Sequence, residues 1–442
     1  MKSGRRWSLV RGREQEFEPA GFQHISHIPF LLDGNGDFAT LPNQFLIDLA
    51  LGMWDMKSRG QLRAGRVPTN QTIKNTAEWL CNALEWADAR SLNPVESDPY
   101  PLARRYESEM LSGAWSASGK PLSGGTSNRR VGTLFQFQMW ASDKGLRGRI
   151  ETPSRLNFWQ QKAVDRGMKR APRFASERIG AARESRTTIT LPSPAQLEVW
   201  KSRLEARGES GATDRLIAEL ILSTGIRLQE AAAWRDDTLP LDKSDWEVPN
   251  PSAPIEEQSV LVKLQYGTKG RQYGFSHGDK IGPGDRIHLP MLMALKLDAY
   301  RKNQRVAAIA AALRRSKTLA GQKAIRARLV HLFLHQDTGA RYTAKQIYSF
   351  WTRERPIKGW SPHKARHWWA CMHLKKRMSE RLELIRLSSQ ALKKNQMPPI
   401  LAATSRDAVS VIELEICPQL RHRSTKTTEA YLRWLFDEMR FS

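Results

Sequence analysis

Four separated segments of this 442-residue chain combine side chains that suit one kind of chemistry, the breaking of a phosphodiester without a metal ion or ATP. They read STGIRLQEAA at 223–232, QYGTKGRQ at 265–272, WSPHKARHWW at 360–369 and RHRSTKTTEAYLRW at 421–434. In such a reaction the two non-bridging phosphate oxygens gain charge, so fixed cations must face them. Arginine suits the task because its planar fork donates two hydrogen bonds to phosphate. Arg227 and Arg366 are the candidates. Glu230, three residues beyond Arg227, is expected on the same helix face, holding its guanidinium. In the third segment Ser361 suits an N-cap and Pro362 the first helical position, which puts His363 and Arg366 together in the opening turns. A metal reading of His363 and His367 is weaker, because Lys364 stands where an HExxH motif has glutamate.

The attacking group must hold the bond energy in a covalent intermediate. Tyr431 can do so, although a phenol with an ordinary pKa of about 10 needs nearby cations and a base. It follows a Thr-rich turn that contains His422. The departing 5′ oxygen needs a proton, and Lys269, in a Gly-rich turn between expected strands, can supply it. Each feature alone has an ordinary structural reading: a surface ion pair, a structural helix, a core tyrosine, a solvated lysine. Their order and type together are the signal.

Composition narrows the partner. Lys+Arg 70 against Asp+Glu 45 gives a formal charge of +25 and a pI near 10.2, a field suited to a polyanion. No run reaches the roughly 18 apolar residues of a spanning helix, and the first residues lack a signal-peptide apolar core, so a cytoplasmic, nucleoid-associated protein with no membrane partner is expected. Cys81, Cys371 and Cys417 are too few and too far apart for a disulfide framework or a zinc site. Walker A glycines and clustered carboxylates are missing as well, which argues against NTPase and metal-dependent nuclease chemistry.

The expected fold class is α+β, mostly α with a small antiparallel β-sheet. Residues 1–60 form an N-terminal extension in which apolar runs flank Asp33-Gly-Asn-Gly as a β-hairpin; the spacing of Asp33, Asn35 and Asp37 is taken as a turn, not a calcium loop. Residues 61–160 form a small helical domain with helices near 69–90, 99–112 and 126–145. Arg129 and Arg130 open its last helix and are candidate DNA contacts. Residues 161–190 read as a basic linker whose Lys169, Arg170 and Arg173 could follow a phosphate backbone. Residues 191–442 form the larger domain, with helices at 194–208, 213–234 and 291–315 and a strand-turn-strand segment between the last two.

With these residues in place, the chain resembles the tyrosine recombinase superfamily, which includes phage integrases and the Xer-like and Cre-like recombinases. TGIRLQE looks like that family's T-G-x-R-x-x-E helix, SPHKARH its H-x-x-R-H helix, and HRSTKTTEAY its H-x-S-x-x-T-x-x-x-Y segment. The segment TSNRRVGTLFQFQMWASDKGL is similar to the last long helix of the family's core-binding domain. The resemblance covers about residues 64–440 and implies a helical core-binding domain followed by a catalytic domain. It also implies the roles: Arg227 and Arg366 clamp the phosphate, with Glu230 in support. Lys269 is general acid, His363 acid/base, His422 a donor to phosphate and Tyr431 the nucleophile. The partner implied is double-stranded DNA, bound by a homotetramer across two sites; off DNA the chain is expected to be a monomer or dimer, with no cofactor and with companion proteins of a mobile element as a further option.

Three features depart from the family pattern. The segment between Lys269 and Arg286 is long, so Lys280 is a second candidate for general acid. The stretch between Arg366 and His422 is also long, which marks 378–405 as an insertion. Arg421 stands where the family has glycine, and Pro418 interrupts the helix before it. Two rivals stay open beside a recombinase or integrase: type IB topoisomerase-like relaxation, and a catalytically silent DNA-binding protein.

Overall fold

A computed structural model describes residues 7–55, 67–150, 154–155, 177–178, 181–182, 189–208, 210–272, 277–391, 406–422 and 430–435. The chain is mostly α-helical with small two-stranded antiparallel sheets, and it divides into two compact units, Met1–Arg186 and Thr187–Ser442.

In the first unit, strand β1 (Ser8–Arg11) pairs with β2 (Pro29–Leu32), Ser8 opposite Leu32. The sequence-based hairpin is therefore placed differently: β2 pairs upstream, and across the turn only an isolated bridge joins Leu32 to Phe38. Asp33 closes that turn by accepting the backbone N–H groups of Asn35 and Asp37 at 2.8 and 3.0 Å. Beyond it the chain enters helix α1 (Thr40–Ala50), whose Pro42 has no N–H for a ladder but fits a first helical turn. Helices α2 (Asn70–Asp88), α3 (Pro99–Ser112) and α4 (Gly124–Asp143) are each capped by a side chain, from Thr69, Asp98 and Ser123. Ile73, Ala77, Leu80, Leu84 and Ala87 recur at helical spacing on α2 and are all buried. Leu31, Phe45, Phe137 and Trp140 share a core with α2, so the N-terminal residues pack into the helical unit itself.

The second unit opens with α5 (Pro194–Glu205), started by a capping box between Ser193 and Gln196, and α6 (Gly211–Thr224). The single helix expected at 213–234 is broken. Gly225 takes a left-handed conformation at φ +66° and ends α6, and a short helix α7 (Leu228–Ala232) begins three residues later. Strands β3 (Ser259–Gln272) and β4 (Lys280–Pro290) form the antiparallel hairpin. The expected 291–315 helix is likewise two, α8 (Met291–Lys302) and α9 (Gln304–Arg314), divided at Asn303, where ψ swings to −81°. Then come α10 (Leu319–Arg328), α11 (Ala344–Arg353) and the 30-residue α12 (Pro362–Ala391). The backbone of α12 runs into the expected insertion, whose residues 392–405 lie outside the described set. After residue 406 a helical stretch contains a π turn at Ile412–Ile416 and one final α turn at Cys417–Leu420. The wide turn comes just before Pro418, whose missing N–H removes one helical bond. Leu197, Trp200, Ile221, Val260, Leu289 and Trp351 lie in the main core of this unit. No helix among the described residues is long and apolar enough to cross a membrane.

Candidate functional site

Arg227 is not inside a helix, as the spacing suggested, but is the N-cap residue of α7 with an extended backbone. Glu230 is the third residue of that helix and reaches back. Its Oε2 accepts the Arg227 backbone N–H at 2.7 Å and its Oε1 accepts a guanidinium N–H at 2.8 Å. The break at Gly225 therefore makes the Arg227–Glu230 pair a cap, more rigid than two side chains on one helix face. Glu230 is fully buried, while the Arg227 side chain remains 28% exposed.

Arg366 lies in the second turn of α12, which Ser361 caps by accepting the Lys364 N–H at 3.4 Å. It is almost fully buried. Its guanidinium donates to the carbonyls of Gly225 and Leu420, the latter at 2.7 Å, and lies 3.4 Å from Nε2 of His422. Arg227 also donates to Leu420, and to the Arg421 carbonyl, both at 3.4 Å. The 420–421 turn is thus a rest on which both arginines sit. Gln419 pins this turn: its amide donates to the carbonyls of Thr224 and His288 at 3.0 Å and accepts the His288 N–H at 2.8 Å. Burial first, and then the charge of Arg227, pull the Arg366 pKa down to about 10.

Arg421 is the residue whose part the sequence concealed. It adopts the left-handed conformation at φ +52°, the reason glycine suits this position. Its guanidinium pairs with Glu230, so one carboxylate serves both Arg227 and Arg421. The Arg421 side chain is 9% exposed, and its Nε and one terminal nitrogen have no hydrogen-bond partner among the described residues. Two guanidinium groups therefore share a single buried carboxylate, and a third, that of Arg366, sits on the adjoining 420–421 turn, so positive charge exceeds negative in a largely buried site.

Tyr431 is fully buried beside this site, among Cys371, Leu374, Ile412, Ile416 and Leu420. Its ring is 5.6 Å from the His367 ring and 6.3 Å from the His422 ring. The hydroxyl has no hydrogen-bond partner among the described residues. Burial holds the phenol above its usual pKa, the nearby cysteines add to this, and Arg366 opposes it. His363 keeps an exposed edge, and its ring stands 5.0 Å from His367, edge to face. Loss of solvent around it, then the charges of Arg366 and Arg227, lower its pKa. The same burial, with neighbouring charge in second place, holds His367 and His422 at about 4. A buried histidine kept neutral makes stability depend on pH with a definite sign. The unfolded chain binds protons below about pH 6.5 and the folded site only near 4. The thermal midpoint should therefore be highest above pH 6.5 and fall as the pH drops from there toward 4. His422→Gln should flatten part of that fall, and a midpoint insensitive to this interval in the parent chain would contradict the assignment.

Lys269 does not sit at the tip of the hairpin. Register slips in β3 leave Tyr266 and Arg271 both opposite Ile281, so 267–270 form a bulge with Lys269 in it. The side chain of Lys269 lies outside the described residues; Lys280, at the start of β4, is exposed. Gly267 has φ +72°, and a Cβ there would come within 2.2 Å of the Gln229 carbonyl and 2.8 Å of the Glu230 Cα. Only glycine lets the bulge lie this close to the helix that carries Glu230. Next to the bulge, the Tyr266 ring is covered by the Arg235 guanidinium at 3.4 Å. The far side of the hairpin is held by Asp279, 2.8 Å from His331 and 2.7 Å from Arg341. In the first unit Arg129 is exposed, but Arg130 turns inward and donates to Asn82 at 2.8 Å, so its guanidinium serves the helical packing. Lys169, Arg170 and Arg173 lie outside the described residues.

No family model matches the chain, and no curated protein matches it. Among solved structures it is similar to the XerH site-specific recombinase bound to palindromic difH substrate in a post-cleavage complex. That match has 16% identity and a TM-score of 0.47, and covers 86% of this chain and 79% of that chain. It is also similar to the Tn1549 transposon integrase in complex with transposon right end DNA, at 15% identity and TM-score 0.44, covering 91% of this chain and 98% of that one. A third is XerA recombinase, at 14% identity and TM-score 0.29, covering 90% and 99%. All three are tyrosine recombinases, the family whose motif order this sequence resembles.

Proposed function

We propose that the chain is a DNA strand-transferring enzyme that cuts and rejoins duplex DNA through a 3′-phosphotyrosyl intermediate. The observation that carries this reading is the convergence of Arg227 and Arg421 on one buried carboxylate and of Arg227 and Arg366 on the Leu420 carbonyl, with Tyr431 and His422 alongside. Buried cations in excess of their acids call for an anion, and arginine forks match the non-bridging oxygens of a phosphodiester. In the proposed step the Tyr431 oxygen bonds to phosphorus while the bond to the 5′ oxygen breaks. The phenolic proton leaves to a base, for which His363 is the candidate. The 5′ oxygen receives a proton from Lys269. Attack of a 5′ hydroxyl on the phosphotyrosine then reverses both transfers on the partner strand, so bond energy is conserved and no cofactor is needed. Tetramers acting across two DNA sites, in the service of a mobile element, complete the proposal.

The test uses a supercoiled plasmid carrying two copies of the DNA that flanks the coding region, in EDTA. Strand exchange between the copies supports the reading. Relaxation without exchange indicates topoisomerase-like activity and overturns the strand transfer while keeping the phosphotyrosyl step; binding without any cleavage indicates a silent DNA-binding protein and overturns both.

The acid can be identified chemically. Sulfur in place of the bridging 5′ oxygen leaves as a thiolate, whose conjugate acid has a pKa of only about 8.5, and so needs no proton donor. Lys269→Ala should slow cleavage of normal duplex by on the order of 10²- to 10⁴-fold and recover on the sulfur-containing duplex. Lys280→Ala should change neither. The reverse pattern would move the role to Lys280.

A further inference from the structure

From Ala299 to Gln336 the chain contains no Asp or Glu. Within this stretch Arg314, Arg315, Lys317, Lys323, Arg326 and Arg328 are all exposed on the helical pair α9–α10. Several exposed cations elsewhere in the unit are paired: Lys296 with Glu219 at 2.7 Å, Lys302 with Asp298 at 2.9 Å, Arg286 with Glu247 at 2.8 Å. Among the described residues no carboxylate faces the six in this way.

The base of the pair is firmly seated. Arg305 of α9 is buried and donates to the carbonyls of His331 and Leu329 at 3.0 and 2.6 Å. Ala308 and Ala312 pack so tightly on the Gly339 turn that a Cβ there would lie 2.4 Å from the Ala312 methyl. Helix α10 differs, for none of its residues is buried. A ten-residue helix without a packed face gains little from the core, so its composition is free to serve a partner. The helix dipole accounts for the sign of cations in a last turn, here Arg314, Arg326 and Arg328, but not for Arg315, Lys317 and Lys323 or for the missing acids. An anionic membrane surface fits poorly, because α10 offers only Leu319 and Ile325 as large apolar side chains.

Helix α10 is also tied to the hairpin that carries Lys269. The His277 ring donates from Nε2 to the Ala327 carbonyl at 3.0 Å. From His277 to Ile281, which faces the bulge, is four residues, at most about 14 Å of chain. This corresponds to roughly four base pairs at 3.4 Å each.

We propose that the α9–α10 pair is a second, sequence-independent DNA surface. It holds backbone phosphates of the same duplex a few base pairs from the phosphate at the guanidinium site. The inference rests on the reading of that site as a DNA-cleavage centre. Its test is kept separate from the chemistry by measuring equilibrium binding alone.

The full chain and its Lys323→Gln/Arg326→Gln/Arg328→Gln variant are compared on a 40-base-pair duplex of random sequence by fluorescence anisotropy across a range of NaCl concentrations. Each phosphate neutralised contributes about 0.9 to the slope of log affinity against log salt, so the variant should bind more weakly with a slope shallower by on the order of 2 to 3. Arg314→Gln/Arg315→Gln, on the other helix, should flatten the slope further when combined with it. Lys201→Gln/Lys296→Gln removes two cations that already have carboxylate partners and should leave the slope unchanged. Parallel slopes for parent and triple variant overturn the proposal. So does equal flattening in the control pair, which would indicate bulk charge alone, or a change in oligomeric mass without a change in slope, which would assign the surface to a protein. Cleavage by Tyr431→Phe would overturn the proposed reaction and leave this binding result standing.

Discussion

Tyr431→Phe should abolish covalent capture of DNA while the protein becomes slightly more stable. The two effects have separate origins. Without the hydroxyl there is no atom to attack phosphorus, and the 421–434 segment holds no second tyrosine, so cleavage should fall below detection. DNA affinity should hardly change, since in the proposed reaction the arginines and not the phenol supply the phosphate contacts. The stability gain follows from the buried hydroxyl having no partner among the described residues. An unsatisfied buried polar group costs roughly 1–3 kcal/mol, and phenylalanine fills the same cluster without it. For a unit of this size a gain of 1 kcal/mol raises the thermal midpoint by about 2–4 °C. Single-turnover cleavage and a melting curve check both parts. Residual cutting would remove Tyr431 from the mechanism, and a lower midpoint would mean that the hydroxyl is already bonded.

Arg366→Ala should lose on the order of 100-fold or more in cleavage, the scale expected when one oxyanion donor is removed. The loss should appear in the cleavage rate more than in duplex affinity, because the rest of the backbone contacts remain. Stability should move little. The variant leaves the carbonyls of Gly225 and Leu420 without this donor, but it also removes a guanidinium that is costly to bury, as its lowered pKa shows. Arg366→Lys restores charge without the planar fork and should recover only part of the rate. A parent-like rate for the alanine variant would discredit the phosphate clamp.

Much of the site was legible in the sequence because its signals are local. The Ser361-Pro362 start of α12 and the helical spacing of apolar residues in α2 follow from rules that operate within one or two turns. Tyr431, His422 and Arg366 were distinct by residue type, and the fold brings them into one neighbourhood. What escaped depends on partners distant in sequence or on a change of backbone direction. The helical pattern runs through Gly225, and only the left-handed turn there reveals that Arg227 is a cap. Arg421 looked like a defect where glycine is usual; its value lies in Glu230, almost two hundred residues earlier. The bulge around Lys269 depends on the register of β3 against β4 and on Gly267 lying against α7. Arg130 looked like a surface cation because nothing near it in sequence shows that Asn82 stands opposite. The β2 strand paired upstream because Pro42 and the start of α1 claim the segment after its turn.

The central claim is that a DNA phosphate becomes bonded to the Tyr431 oxygen. A nicked suicide duplex, labelled on the strand to be cut and carrying the flanking DNA, is incubated with the chain in EDTA, and the adduct is digested and mapped by mass spectrometry. The account predicts a nucleotide joined through its 3′ phosphate to the peptide containing Tyr431, with a free 5′ hydroxyl on the released strand. A phosphate attached to another residue, or a cut strand with no protein joined to it, would contradict it.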